Sequence, residues 1–149
     1  YQHIKKNDIP TIDEGNDVLI KVLVGKVKNT SSAVQTYSPV SIFDVQFTKP
    51  SLIDLDISKN QTVMVYVIDG ELKFHDDNQI ARKGQMIYFD QLSDKINLTS
   101  ISPTGSYLVL AGEPLNEPVV RYGPFVTNTE GDMKKAMLDY QNGKMGTLA

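Results

Sequence analysis

The 149-residue sequence contains no cysteine. Disulfides, thiolate nucleophiles and cysteine-held zinc or iron–sulfur groups are therefore excluded, and a reducing compartment is favoured. Histidine is nearly as scarce: His3 lies in the polar opening segment and His75 in the loop FHDDN. Both are read as solvent-exposed, and any divalent ion caught by His75, Asp76 and Asp77 as adventitious. No run approaches the ~20 apolar residues that a membrane span requires, and YQHIKKNDIP has no apolar core of a secretory signal. A soluble, cytoplasmic protein is expected, and three Asn-X-Ser/Thr sequons are read as incidental. The formal net charge is -3 with Lys and Arg scattered, so no concentrated positive field exists for a nucleic-acid backbone. Neither a phosphate-cradling glycine loop nor a serine in a nucleophile elbow occurs.

What is present reads as one domain with enough chain to bury its own core. The organising stretch runs from Val63 to Phe89. It is read as the strand VMVYVIDG, a tight reversal at Asp69-Gly70, a second strand ELKF, a polar loop around Asp76-Asp77-Asn78, and a return strand announced by Lys83-Gly84. Asp-Gly between β-branched and aromatic runs is a hairpin signal, because a primed turn needs the positive φ that these residues tolerate. Further strands are expected at Val18–Val24, at Ser41–Phe47 with Phe43, Val45 and Phe47 on one face, and at Leu52–Ile57 with Ile53, Leu55 and Ile57 alternating with Asp54 and Asp56. Two more are expected around Ile96 and Leu98 and over Tyr107–Gly112. Residues 1–16 read as an extended arm. Seven to nine short strands with no helix between them predict an all-β antiparallel barrel or sandwich over residues 17–112.

Residues 113–149 change character. A proline-rich connector, GEPLNEP, leads to the extended segment VVRYGPFV. Thr129 with Asp132 then forms a helix start, Met133, Ala136, Met137 and Tyr140 fall on one helical face, and Asn142-Gly143 closes the helix. This helix is expected to pack on the sheet.

The closing run AGEPLNEPVVRYGPFVTNTEGDMKKAMLDYQNGKMG resembles the C-terminal segment of the pirin family, proteins built from two cupin barrels in tandem. The part from Ser41 through YVIDGELKF is similar to the second of those barrels. Gly112-Glu113-Pro114 and Tyr122-Gly123-Pro124-Phe125 are its most specific pieces. The resemblance implies a single cupin barrel of jelly-roll type with one C-terminal helix. The first barrel, the half that holds iron in this family, has no counterpart in the sequence. The general cupin pattern places two histidines and a glutamate ahead of the hairpin glycine and a third histidine after a later one. Counting from Gly70 and Gly84, these positions fall among Asp56, Ile57, Ser58 and Lys59, at Val63, and at Ile87. None is His or Glu, so no metal or other cofactor is expected, and Ile57, Val63 and Ile87 are expected to line an apolar interior able to admit a small apolar ligand.

The remaining acid pair, Asp54 and Asp56, shares one strand face and is read as solvated. No catalytic residue is assigned. Two functions remain open. One is a non-catalytic interaction module that self-associates or docks onto a separate chain; the family's link to transcriptional co-regulation makes a regulatory protein the natural partner. The other is the metal-free half of an enzyme similar to the quercetin dioxygenases.

Overall fold

The computed structural model describes residues 2–15, 17–74, 79–89 and 94–146. It divides into two compact units, Tyr1–Pro114 and Leu115–Ala149. In chain order the first unit contains β1 (Thr11–Asp13), β2 (Val18–Val24), β3 (Lys26–Val27), β4 (Thr30–Ser31), β5 (Val40–Phe47), β6 (Ser51–Asp56) and β7 (Thr62–Asp69). It continues with β8 (Glu71–Phe74), β9 (Gln79–Arg82), β10 (Met86–Phe89), β11 (Lys95–Ser100) and β12 (Gly105–Gly112). The second unit holds β13 (Val120–Tyr122), β14 (Phe125–Thr127) and α1 (Glu130–Gln141).

Two antiparallel sheets carry the first unit, one of six strands in the order β1-β2-β5-β12-β7-β10 and one of four in the order β6-β11-β8-β9. Strand alternation sends Val18, Ile20, Phe43, Val45, Val65 and Val109 of the larger sheet and Ile53, Leu55, Leu72 and Leu98 of the smaller into one buried apolar cluster. The fold is all-β and of cupin, jelly-roll type, with one C-terminal helix. Its ladders stop short of a closed ring: β1 and β10 remain edges of the larger sheet, and β6 and β9 of the smaller. Within the segment expected as an arm, Thr11–Asp13 pairs with β2, and Ile12 packs on the core.

The Asp69-Gly70 reversal is corrected. β7 and β8 do not pair; β7 lies between β12 and β10, whereas β8 lies between β11 and β9. Asp69-Gly70 is a corner where one arm of a long bent hairpin leaves the larger sheet for the smaller, and the return arm β9-β10 crosses back at Lys83-Gly84. The expected polar loop around Asp76-Asp77-Asn78, with His75, lies outside the described residues. A second such pair of arms, β5-β6 and β11-β12, bends alongside the first. Gly70 satisfies the local signal for a different reason: its φ is +84°, and a β-carbon there would lie 2.5 Å from Ser102 Oγ and 2.8 Å from the Thr104 carbonyl oxygen. The corner is tied by Ser102, whose Oγ accepts from Glu71 N at 2.9 Å, and by Ile101 N donating to the Glu71 carbonyl at 3.1 Å.

In the second unit, β13 and β14 form a hairpin around Gly123-Pro124. Phe125 meets Tyr140 of α1 edge to face, with ring centroids 5.7 Å apart. Thr129 caps the helix, accepting from Asp132 N at 3.0 Å and donating to Asp132 Oδ2 at 2.6 Å. Asn142 ends it, and Gly143 follows in the left-handed region at φ +68°.

Gly70→Ala is expected to lower stability by about 2–4 kcal/mol, the sum of a left-handed penalty and overpacking against the Ser102–Gly105 corner. Urea denaturation measures this, and an unchanged midpoint would show that the corner tolerates a side chain.

Candidate functional site

The positions that the cupin pattern assigns to metal ligands sit inside the sandwich or at its rim. Ile57, Val63 and Ile87 are 5%, 0% and 5% exposed and all belong to the core cluster. Register explains this: Ile87 pairs with Val65 and Val63 with Phe89, so each keeps the inward parity of its strand. Asp56, Ser58 and Lys59 point away from the core and are exposed. A resident iron needs several imidazole or carboxylate arms meeting at one point. Aliphatic side chains offer no donor atom, and among the described residues no group of three or more His, Asp or Glu side chains converges. The residues present do not fit such a metal.

Polar groups inside are few and mostly bonded to the backbone. Ser100 Oγ accepts from Ser51 N at 2.8 Å and donates to the Ser51 carbonyl at 3.1 Å, closing the end of the β6–β11 ladder. Tyr107 differs. Its ring is fully buried 6.4 Å from that of Phe47, and its hydroxyl has no hydrogen-bond partner among the described residues. Burial pushes the phenol pKa far above its ordinary value, because the phenolate would sit unsolvated among hydrocarbon.

The outer face of the larger sheet is unlike the outer faces around it. Leu110 of β12 pairs with Ile42 of β5 on one side and Met64 of β7 on the other, and Met64 pairs with Tyr88 of β10. The next outward row runs Leu108, Tyr66, Met86. Two apolar rows thus lie side by side on three neighbouring strands, with Tyr66 37%, Met86 55% and Tyr88 66% exposed. On the β5 side the band ends at Asp44, which is ion-paired to Lys21 at 3.2 Å and accepts from Gln46 Nε2 at 3.1 Å. At one end it deepens into a trough of about 290 Å³ lined by Val40, Ile42, Thr62, Met64, Leu110 and Pro114 among others. By contrast β6 presents Leu52, Asp54 and Asp56 outward, and β11 presents Lys95, Asn97 and Thr99.

The Gly112-Glu113-Pro114 signature lines this trough, whereas Tyr122-Gly123-Pro124-Phe125 forms the β13–β14 turn in the second unit. His3 is exposed, as are Asp54 and Asp56. The outward set Met64, Tyr66, Leu108, Leu110, Met86 and Tyr88 is absent from the sequence reading. Its signal was available: TVMVYVI, YLVLA and MIYF are continuous apolar runs, not alternating ones, and such runs mark strands that are apolar on both faces.

A model of the pirin C-terminal cupin domain matches residues 42–146. Pirin of Rattus norvegicus is 33% identical over 148 residues, covering 98% of this chain and 50% of the rat protein. Pirin-1 of Arabidopsis thaliana is 32% identical, covering 98% of this chain and 52% of its own. Among solved structures, a quercetin 2,3-dioxygenase from Acinetobacter baumannii superposes with a TM-score of 0.86 at 30% identity, covering all of this chain and 51% of that one. The chain spans about half the length of the curated relatives it matches.

Tyr107 gives a pH signature. Its folded pKa is raised, so above about pH 10 the phenol ionises in the unfolded state while the folded state holds it neutral, and stability falls by about 1.4 kcal/mol per pH unit. Tyr107→Phe should abolish that slope in urea melts between about pH 9 and 11, at no cost or a gain of up to about 1 kcal/mol at neutral pH. A loss at neutral pH would mean that the hydroxyl is bonded.

Proposed function

Because the chain belongs to the pirin family, as its C-terminal cupin domain, we propose that it serves as the metal-free half of a two-barrel pirin-type protein: an interaction module and not the seat of the chemistry. The observation that carries this reading is the filling of the ligand positions. Ile57, Val63 and Ile87 are buried hydrocarbon. Each such buried side chain stabilises the sandwich by about 1.5–3 kcal/mol, whereas an uncompensated carboxylate at the same place would cost several. The interior is therefore built for stability. The partner is the barrel that holds iron in this family, met in the same chain or in another, and a cytoplasmic setting accords with the absence of cysteine. Among the described residues no helix is long and apolar enough to cross a membrane.

A second reading is favoured by the match to the A. baumannii quercetin 2,3-dioxygenase. In it the same two-barrel protein oxidises a flavonol on its other half, and this chain supplies a wall and no reacting atom. The interior around Ile57, Val63 and Ile87 then takes at most a small apolar molecule, which it binds without transforming.

Loading the purified chain with Fe(II) under anaerobic conditions, followed by metal analysis and oxygen uptake with quercetin, tests the assignment. Far less than one iron per chain and no flavonol-dependent uptake are expected. Stoichiometric iron with turnover from this chain alone would overturn it.

A further inference from the structure

We infer that Asn142, at the end of α1, is a site of spontaneous deamidation, and that the cap of this helix sets its rate. Of the asparagines in the sequence only Asn142 is followed by glycine. Deamidation of such a pair needs no enzyme and no co-reactant except water. The Gly143 backbone nitrogen loses its proton and attacks Asn142 Cγ. A bond forms between that nitrogen and Cγ, the Cγ–Nδ2 bond breaks, and the side-chain nitrogen leaves as ammonia, carrying the proton. Water then opens the five-membered succinimide at either carbonyl, giving aspartate or isoaspartate. Glycine favours ring closure, because it has no β-carbon to crowd the attacking nitrogen and its backbone turns freely. Both residues are exposed, so water and hydroxide reach them.

The same glycine builds the cap. α1 closes in a Schellman motif: Gly143 N donates to the Tyr140 carbonyl at 3.0 Å and Lys144 N to the Asp139 carbonyl at 2.9 Å. These bonds need a left-handed residue after Asn142, and Gly143 supplies it. An ion pair from Lys144 Nζ to Asp139 Oδ1, at 3.2 Å, spans the cap. Two features of this arrangement oppose the reaction. The proton of the attacking nitrogen is engaged by the Tyr140 carbonyl. With ψ of Asn142 at +7°, Gly143 N also nearly eclipses the amide nitrogen of Asn142, whereas the side chain leaves Cα on another tetrahedral arm, turned away from ring closure. The reaction therefore waits for the last turn to open, and helix ends open at little cost in free energy. The contact of Tyr140 with Phe125 tethers that turn. Once formed, the product places a carboxylate at the negative end of the helix dipole, and isoaspartate lengthens the backbone where the two cap bonds must close. Deamidation thus dismantles the turn that held it back.

The test incubates the folded chain at mildly alkaline pH beside the same chain in concentrated urea, and follows Asn142 by mass spectrometry of proteolytic fragments. Isoaspartate is expected at Asn142 in both, about tenfold or more slowly in the folded chain. Tyr140→Ala loosens the last turn and leaves Gln141-Asn142-Gly143 as it is. It should speed the folded reaction about threefold or more and leave the rate in urea unchanged. Helix content by circular dichroism should fall as isoaspartate accumulates. An Asn142 that stays intact in the folded chain long after the urea sample has converted overturns the inference. So do equal rates in the folded and unfolded chain, or a folded rate that Tyr140→Ala does not change, since the cap would then not gate the reaction.

Discussion

Everything in the first unit depends on two bent arms crossing from one sheet to the other at the same level. That crossing is possible because Gly70 and Gly105 bring backbone against backbone. A β-carbon at Gly105 would stand 2.5 Å from the Asp69 carbonyl oxygen and 2.5 Å from the Phe47 ring. Phe47 thus fills the space that Gly105 leaves, and Tyr107 packs beside it. Because side-chain period in a strand is two, this corner also sets parity: Val63, Val65 and Val67 face inward before it and Leu72 after it. A slip of one residue would turn Met64 and Tyr66 into the core and expose the valines.

Parity then divides the strands into two roles. The inward set, including the positions where a catalytic cupin places its ligands, is hydrocarbon and holds the sandwich together. The outward set on β12, β7 and β10 is apolar too, and stability of the isolated sheet gives no reason for that. Exposed Tyr88 and Met86 gain little in water, whereas the same side chains against another sheet would each bury substantial apolar area. The chemistry that this chain lacks inside and the surface it offers outside therefore support one account, in which it stabilises and orients a partner.

Much of the fold was legible in the sequence, and the failures have definite causes. The inward faces of β5 and β6 are marked by simple alternation, that of β7 by its valines at every second position, and the helix by Thr129, Asp132 and Asn142-Gly143. The sequence assigns no strand to Gln79–Arg82, because β9 buries only Ala81, too weak an apolar signal to register. β1 escaped for the same reason, with Ile12 alone packing inward. Asp69-Gly70 misled because a positive φ at glycine serves a tight hairpin and a corner equally well, and only the partners of β7 and β8 distinguish them. The outer apolar face was present as unbroken runs, but attention to the valines alone leaves Met64, Tyr66 and Tyr88 unexplained. Tyr107 could not be foreseen as an unpartnered buried hydroxyl, since partners are fixed by tertiary packing.

The most direct measurement is amide hydrogen exchange on the chain alone and in complex with the half of a relative that it does not match. Val67 N donates to the Gln85 carbonyl, so alternation turns the amides of Met86 and Tyr88 toward the open edge of the sheet, where they should exchange quickly in the free chain. The account predicts that the complex slows exchange at β10 and along β7 while leaving β6 and β11 as they were. Slowing centred on β6 and β11, or no slowing at β10, would contradict it.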